Sequence, residues 1–150
     1  MTYKILKSIA MGLLSGDNAL PGGEDVLKGL VEYALMTVAM KAESLHLMTL
    51  STTANVLRLS QGDYLIRVPE VPVNDDDVID IDEELTFAVA RYLASYISAQ
   101  KGGIHVSAAN RIITDYNAKT YEIIQQMALE AKEVDVDELC YSAPSTEWNL

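Results

Sequence analysis

The sequence predicts a mainly α protein: a small helical bundle with one β-hairpin and an extended C-terminal tail. Three observations lead there. Four stretches repeat apolar residues at three-and-four spacing, one central stretch switches to β-prone runs around a Gly, and the last stretch loses its apolar stripe and gains Pro and Ser. The chain is 150 residues long and 49% apolar, one domain's worth of material with enough apolar content for a core.

Residues 3–14 place Leu6, Ile9, Ala10 and Leu13 on one face of a short helix that Gly16-Asp17-Asn18 should end. Pro21-Gly22-Gly23 breaks the chain before Glu24-Asp25, whose charges suit a helix N-terminus. From there to about residue 47, Leu27, Leu30, Val31, Ala34, Leu35, Val38, Ala42 and Leu45 predict a long helix with a wide buried stripe. Runs at 55–59 and 64–68 flank Ser60-Gln61-Gly62-Asp63, so a β-hairpin is expected at about 55–68. Pro69 and Pro72 lack donors, and the chain after the hairpin should run extended over the surface.

The third helix should start at Asp80 or Asp82 as cap, with Glu83 and Glu84 in its first turn and an apolar face from Leu85 to Ile97. Lys101-Gly102-Gly103 should stop it. A fourth helix is expected over about 106–132, carrying Ile112, Ile113, Tyr116, Ile123, Ile124, Met127 and Ala131 and pairing antiparallel with the third. Residues 1–132 then form the helical domain and 133–150 an acidic tail.

Charge is unevenly spread. The formal net charge is -11, but residues 74–84 carry seven acids and 133–150 carry five, with no Lys or Arg in either. Elsewhere ten acids face eleven bases. A body of that balance, without a Lys/Arg cluster, lacks the footprint of phosphate-backbone binding, so sequence-specific nucleic-acid binding is not expected. The single Cys140 allows no internal disulfide, and no CxxC or His/Cys cluster suggests zinc. Lys4 and Lys7 precede an apolar stretch, but Ser8 and Gly12 interrupt it, which argues against a cleaved signal. No stretch reaches the ~20 apolar residues of a membrane span, and a soluble intracellular protein is the expectation.

The search for chemistry returns weak signals. Asp75, Asp76, Asp77, Asp80, Asp82, Glu83 and Glu84 are hard oxygen ligands, yet the EF-hand Gly and Glu do not fall in place; a solvated loop with helix capping explains them as well. His46 and His105 stand apart without a ligand pattern, and Cys140 lies among acids that raise a thiol pKa. No nucleophile elbow, Walker loop, HExxH or GxGxxG is present. Neither an enzyme, a cofactor nor a metal site is expected. Eight tyrosines against one Phe87, with Tyr92, Tyr96, Tyr116 and Tyr121 on the last two helices, suit contacts between subunits or ordinary boundary packing. Met36, Met40 and Met48 fit either reading. The tail holds Val136, Leu139, Tyr141, Trp148 and Leu150, and the only tryptophan is more than a solvating tail needs. A docking segment and a frayed terminus both remain open. The candidate partner-binding residues are therefore these five together with Asp75, Asp76 and Asp77.

The middle of the chain resembles a known family. The carriers are a Leu-x-Leu-x-x-Gly-Asp-Tyr-x-x-Arg-x-Pro hairpin from Leu57 to Pro69, an Ile-Asp-Ile-Asp-Glu-Glu-Leu entry at 79–85, and an Ala-x-x-x-Tyr-Leu-Ala-Ser helix ending at Ser95. Over about residues 25–132 the chain is similar to head-to-tail adaptors of tailed bacteriophages, also called connector or head-completion proteins. The resemblance implies a structural virion protein of the neck region, assembled in the host cytoplasm as a ring of about a dozen copies beneath the portal. It also implies C-terminal segments that grip the portal protein and an opposite side that receives tail or nozzle proteins. An acidic lumen would let DNA slide without sticking. Two other classes compete: an acidic DNA-mimic inhibitor of a nucleic-acid-binding protein, which needs charge dispersed like phosphates, and an enzyme using the carboxylates with a divalent metal.

Overall fold

The computed structural model describes residues 1–14, 22–49, 56–60, 64–98 and 102–141. It is mainly helical, with α1 at Tyr3–Leu13, α2 at Glu24–Lys41, α3 at Thr86–Ile97 and α4 at Gly102–Tyr141, and a small sheet of β1 (Met48–Thr49), β2 (Val56–Ser60) and β3 (Tyr64–Arg67).

The side chain of Thr2 caps α1 by accepting from the Ile5 N–H, and the helix buries Tyr3, Leu6 and Ala10. Gly22 and Gly23 take φ of 61° and 104°, a region that side chains disfavour, and this turns the chain into α2 with Glu24 and Asp25 in its first turn. Helix α2 buries Leu27, Val31, Ala34, Leu35, Val38 and Ala39, as the stripe requires. It ends at Lys41 instead of about 47, because Ala42 is extended and the next backbone N–H groups are taken by side chains from elsewhere: Glu43 by Asn117, Leu45 and His46 by Asp82. A helix cannot continue through donors held by other elements.

That early end frees Met48–Thr49 to add a third strand that the periodicity does not reveal. The expected hairpin forms from β2 and β3, with Ser60 opposite Tyr64 and an irregularity between Val56 and Arg58; β1 pairs with the other edge of β3, placing β3 in the centre. Residues 68–73 then run without regular structure, but Pro69 and Pro72 are buried, where a surface path was expected.

Helix α3 is the centre of the bundle. It buries Thr86, Ala88, Val89, Ala90, Tyr92, Leu93 and Ala94 and packs against α1, α2 and α4. A helix apolar on most of its circumference needs neighbours on several sides. Its start departs from expectation: a 3-10 turn at Glu83–Leu85 precedes it, and the Asp82 side chain makes no capping bond. Gly102 and Gly103, expected as a stop, open α4 instead. A Cβ on Gly102 would lie 3.1 Å from the Ser95 carbonyl oxygen, so the close approach of the two helices favours glycine there. Helices α3 and α4 form the expected antiparallel pair, with Tyr92 bonded to Asn110 and Arg91 to His105.

Helix α4 is also longer than expected. It runs for 40 residues, about 60 Å at 1.5 Å per residue, and includes 133–141, which the loss of apolar spacing assigned to an irregular tail. Losing the stripe removes a packing partner but not helix propensity, and no Gly or Pro follows Gly103 before Pro144.

Candidate functional site

The acidic run is where charge, cleft and inter-element contacts coincide. Its alternation explains its shape: Ile79 and Ile81 are buried at 1% and 4% exposure, so the carboxylates of Asp80 and Asp82 point to the other side of an extended segment. The segment before it straps the start of the chain. Thr2 and Val78 form an antiparallel bridge, the Asp75 and Asp77 carbonyls accept from the Lys4 and Tyr3 N–H groups, and the Ile79 N–H donates to the Met1 carbonyl.

Each carboxylate but one has an identified partner in the fold. Lys7 Nζ donates to Asp75 at 2.6 Å, and this bond, reinforced by the charges of Lys7, Lys4 and Lys28, holds the Asp75 carboxyl below its ordinary range. The same ammonium lies 4.3 Å over the ring of Tyr3. Asp77 Oδ2 accepts from the backbone N–H groups of Asn74 and Val73, each at 2.8 Å, and these bonds to the charged form likewise lower its pKa. Asp76 is exposed.

Asp80 makes the densest set of bonds. Arg67 reaches it with both guanidinium nitrogens at 2.6 Å, the Glu70 N–H donates at 2.7 Å, and His46 Nε2 lies at 2.9 Å. Burial pushes the carboxyl up, but the Arg67, Glu70 and His46 bonds outweigh it and the pKa falls below its usual value. Two residues on, Asp82 accepts from the Leu45 N–H at 3.0 Å, the His46 N–H at 2.7 Å and the Tyr116 hydroxyl. Glu83 accepts from the Met1 ammonium and Glu84 from Lys119.

The run is thus a clamp. Asp80 holds the hairpin, Asp82 joins the end of α2 to α4, and Asp75 and Asp77 fix α1 and the turn before it. Beside it lies a cleft of about 420 Å³ lined by His46, Glu70, Val71, Pro72 and residues 77–81. Its central carboxylate, Asp80, already accepts four bonds, which fits an organising role better than that of a general base. Among the described residues no group of three or more His, Cys, Asp or Glu is placed to hold a metal, and no helix is long and apolar enough to cross a membrane.

Of the sequence-derived partner-binding residues, Asp75, Asp76 and Asp77 lie together at the strap. Val136, Leu139 and Tyr141 fall on the last turns of α4, and Trp148 and Leu150 lie outside the described residues. The clamp's other half, Arg67, His46 and Tyr116, carries no sequence pattern that points to this role. The one available signal was an arginine inside a β-prone run, Leu65-Ile66-Arg67-Val68, where a charge needs a partner.

Comparison of the chain with protein-family models, curated proteins and solved structures finds no match.

Proposed function

We propose that this chain is a structural subunit of a tailed-phage neck, a head-to-tail adaptor that assembles into a ring between portal and tail and lines the DNA channel without catalysis. One observation carries the reading: the residues bearing the resemblance are bonded to one another. Arg67 of the hairpin motif holds Asp80 of the Ile-Asp-Ile-Asp entry, and that entry leads directly into the Tyr-Leu-Ala-Ser helix, where Tyr92 and Leu93 are buried. Three loose patterns in sequence thereby become one packed unit, which is what a fold signature should be. The polar bonds of the acidic run favour an architectural role over chemistry, and the projecting end of α4 supplies a segment able to reach a portal.

Negative-stain imaging and mass photometry of the full chain, alone and with the portal protein, test this. A ring of about a dozen copies in either condition is the expected result. A persistent monomer in both overturns the reading, and a monomer that instead captures a DNA-processing enzyme would assign the chain to the mimic class.

A further inference from the structure

Two helix faces on this chain have the character of a core and are left partly open among the described residues, the second of them touched by Tyr96 through Tyr33 and Thr37. On α4 the face that packs into the bundle descends through Ala109, Ile113, Tyr116, Thr120 and Ile124, all buried; the same face continues to Ile123 and Met127, which are 45% and 48% exposed. The core stripe outlasts its own core. On α2, beside the buried face, a second stripe runs Val26, Leu30, Tyr33, Thr37, Met40 at spacings of four, three, four and three, the seam of a helix that expects another helix. Tyr33 and Met40 are 63% and 50% exposed. A helix apolar on two faces is one that ends up covered on both.

These two faces cannot meet within one chain. The end of α2 lies against the middle of α4, where Lys41 and Glu43 meet Asn110 and Asn117, whereas Tyr33 stacks on Tyr96 at the end of α3, beside the start of α4. Met127 lies 25 residues beyond Gly102, about 37 Å along the helix, and a continuous α-helix cannot fold back over that distance. Nor do two α4 ends suit each other. From Leu129 to Tyr141 the helix carries five acids against Lys132 alone, so two such segments side by side repel, while α2 is nearly balanced, with Glu24, Asp25 and Glu32 against Lys28 and Lys41.

We infer that the projecting half of α4 of one copy packs on the Val26–Met40 seam of α2 in the next copy. The contact is head-to-tail, each copy giving one face and receiving on the other, and repetition closes a ring when the rotation permits. This names the contact that the ring reading leaves open and rests on that reading.

A photoreactive phenylalanine in place of Met127, in a mixture of isotopically light and heavy full-length chain, tests it. The expected product is an adduct between copies on residues 26–40, reduced about tenfold by Tyr33→Asp while circular dichroism shows the helices unchanged. Adducts on a second α4, adducts elsewhere, or no adduct between copies overturn the inference. Rings seen by imaging together with an adduct elsewhere overturn this contact and leave the adaptor reading standing; absence of any assembly, with or without portal, overturns both.

Discussion

The two acidic segments look alike in sequence, but the first is an extended run bonded into the fold and the second, as far as Tyr141, continues a helix. Residues 74–84 and 133–150 are each dense in Asp and Glu without a compensating base. In the first, Asp75, Asp80, Glu83 and Glu84 are bonded to cations of other elements, and Asp77 and Asp82 to backbone N–H groups. In the second, the backbone through Tyr141 continues α4 beyond Ile124, the last buried residue of that helix among those described. Charge density along a chain therefore does not say whether the charge faces a partner or the protein's own interior. Both segments alternate acids with apolar residues, Ile79 and Ile81 in the first and Val134 and Val136 in the second; in the first, the burial of Ile79 and Ile81 anchors the run to the core.

Substitutions in the clamp should break this contrast most strongly. Asp82→Ala leaves two backbone donors and the Tyr116 hydroxyl without their acceptor and is expected to cost about 3 kcal/mol in chemical denaturation. Arg67→Met removes a bidentate partner from Asp80, which is only 13% exposed, and should cost about 2 kcal/mol. The same contrast appears in pH dependence. Asp75, Asp77 and Asp80 all have lowered folded pKa values, so their contribution is fully present above the unfolded Asp value of about 3.9 and is lost as pH falls through the folded values. Stability should hold from pH 7 to about 5 and decline below about 4, less steeply in Arg67→Met. A decline of equal slope in that variant would show that Asp80 is not the sensor.

Smaller effects sharpen the other side. Lys119→Ala breaks an ion pair whose side chains are 68% and 61% exposed and should change stability by about 0.3 kcal/mol or less. Removing 133–150 should leave the bundle's unfolding free energy within about 0.5 kcal/mol, while attachment to the portal is lost. Retained attachment after that deletion would sink the tail as the docking element.

The helices and the hairpin were legible because each is a local pattern: α2's stripe at Leu27, Val31 and Val38, and β-prone runs around Gly62. Boundaries failed where a distant residue decides them. Nothing between 41 and 47 says that Asp82 and Asn117 will take the backbone donors there, and that is why a helix was expected and an extended connection with β1 is found. Gly102 opens α4 instead of stopping α3 for a similar reason, since what favours glycine there is the Ser95 carbonyl across the turn. Of the clamp, the acids were visible and their role was not. Identifying Asp80 as an anchor requires knowing that Arg67 stands opposite, a pairing set by the sheet and not by spacing along the chain.

The strap between residues 1–4 and 75–79 also orders events in time. As the chain is synthesised, α1 emerges first, yet the segment that pairs with it through the Thr2–Val78 bridge follows only after α2 and the sheet. Until then the face of Tyr3, Leu6 and Ala10 has neither α3 nor the strap to lie against. Such long-range closure is paid in loop entropy before it is rewarded, so α1 should dock late, on a bundle whose other helices have already met.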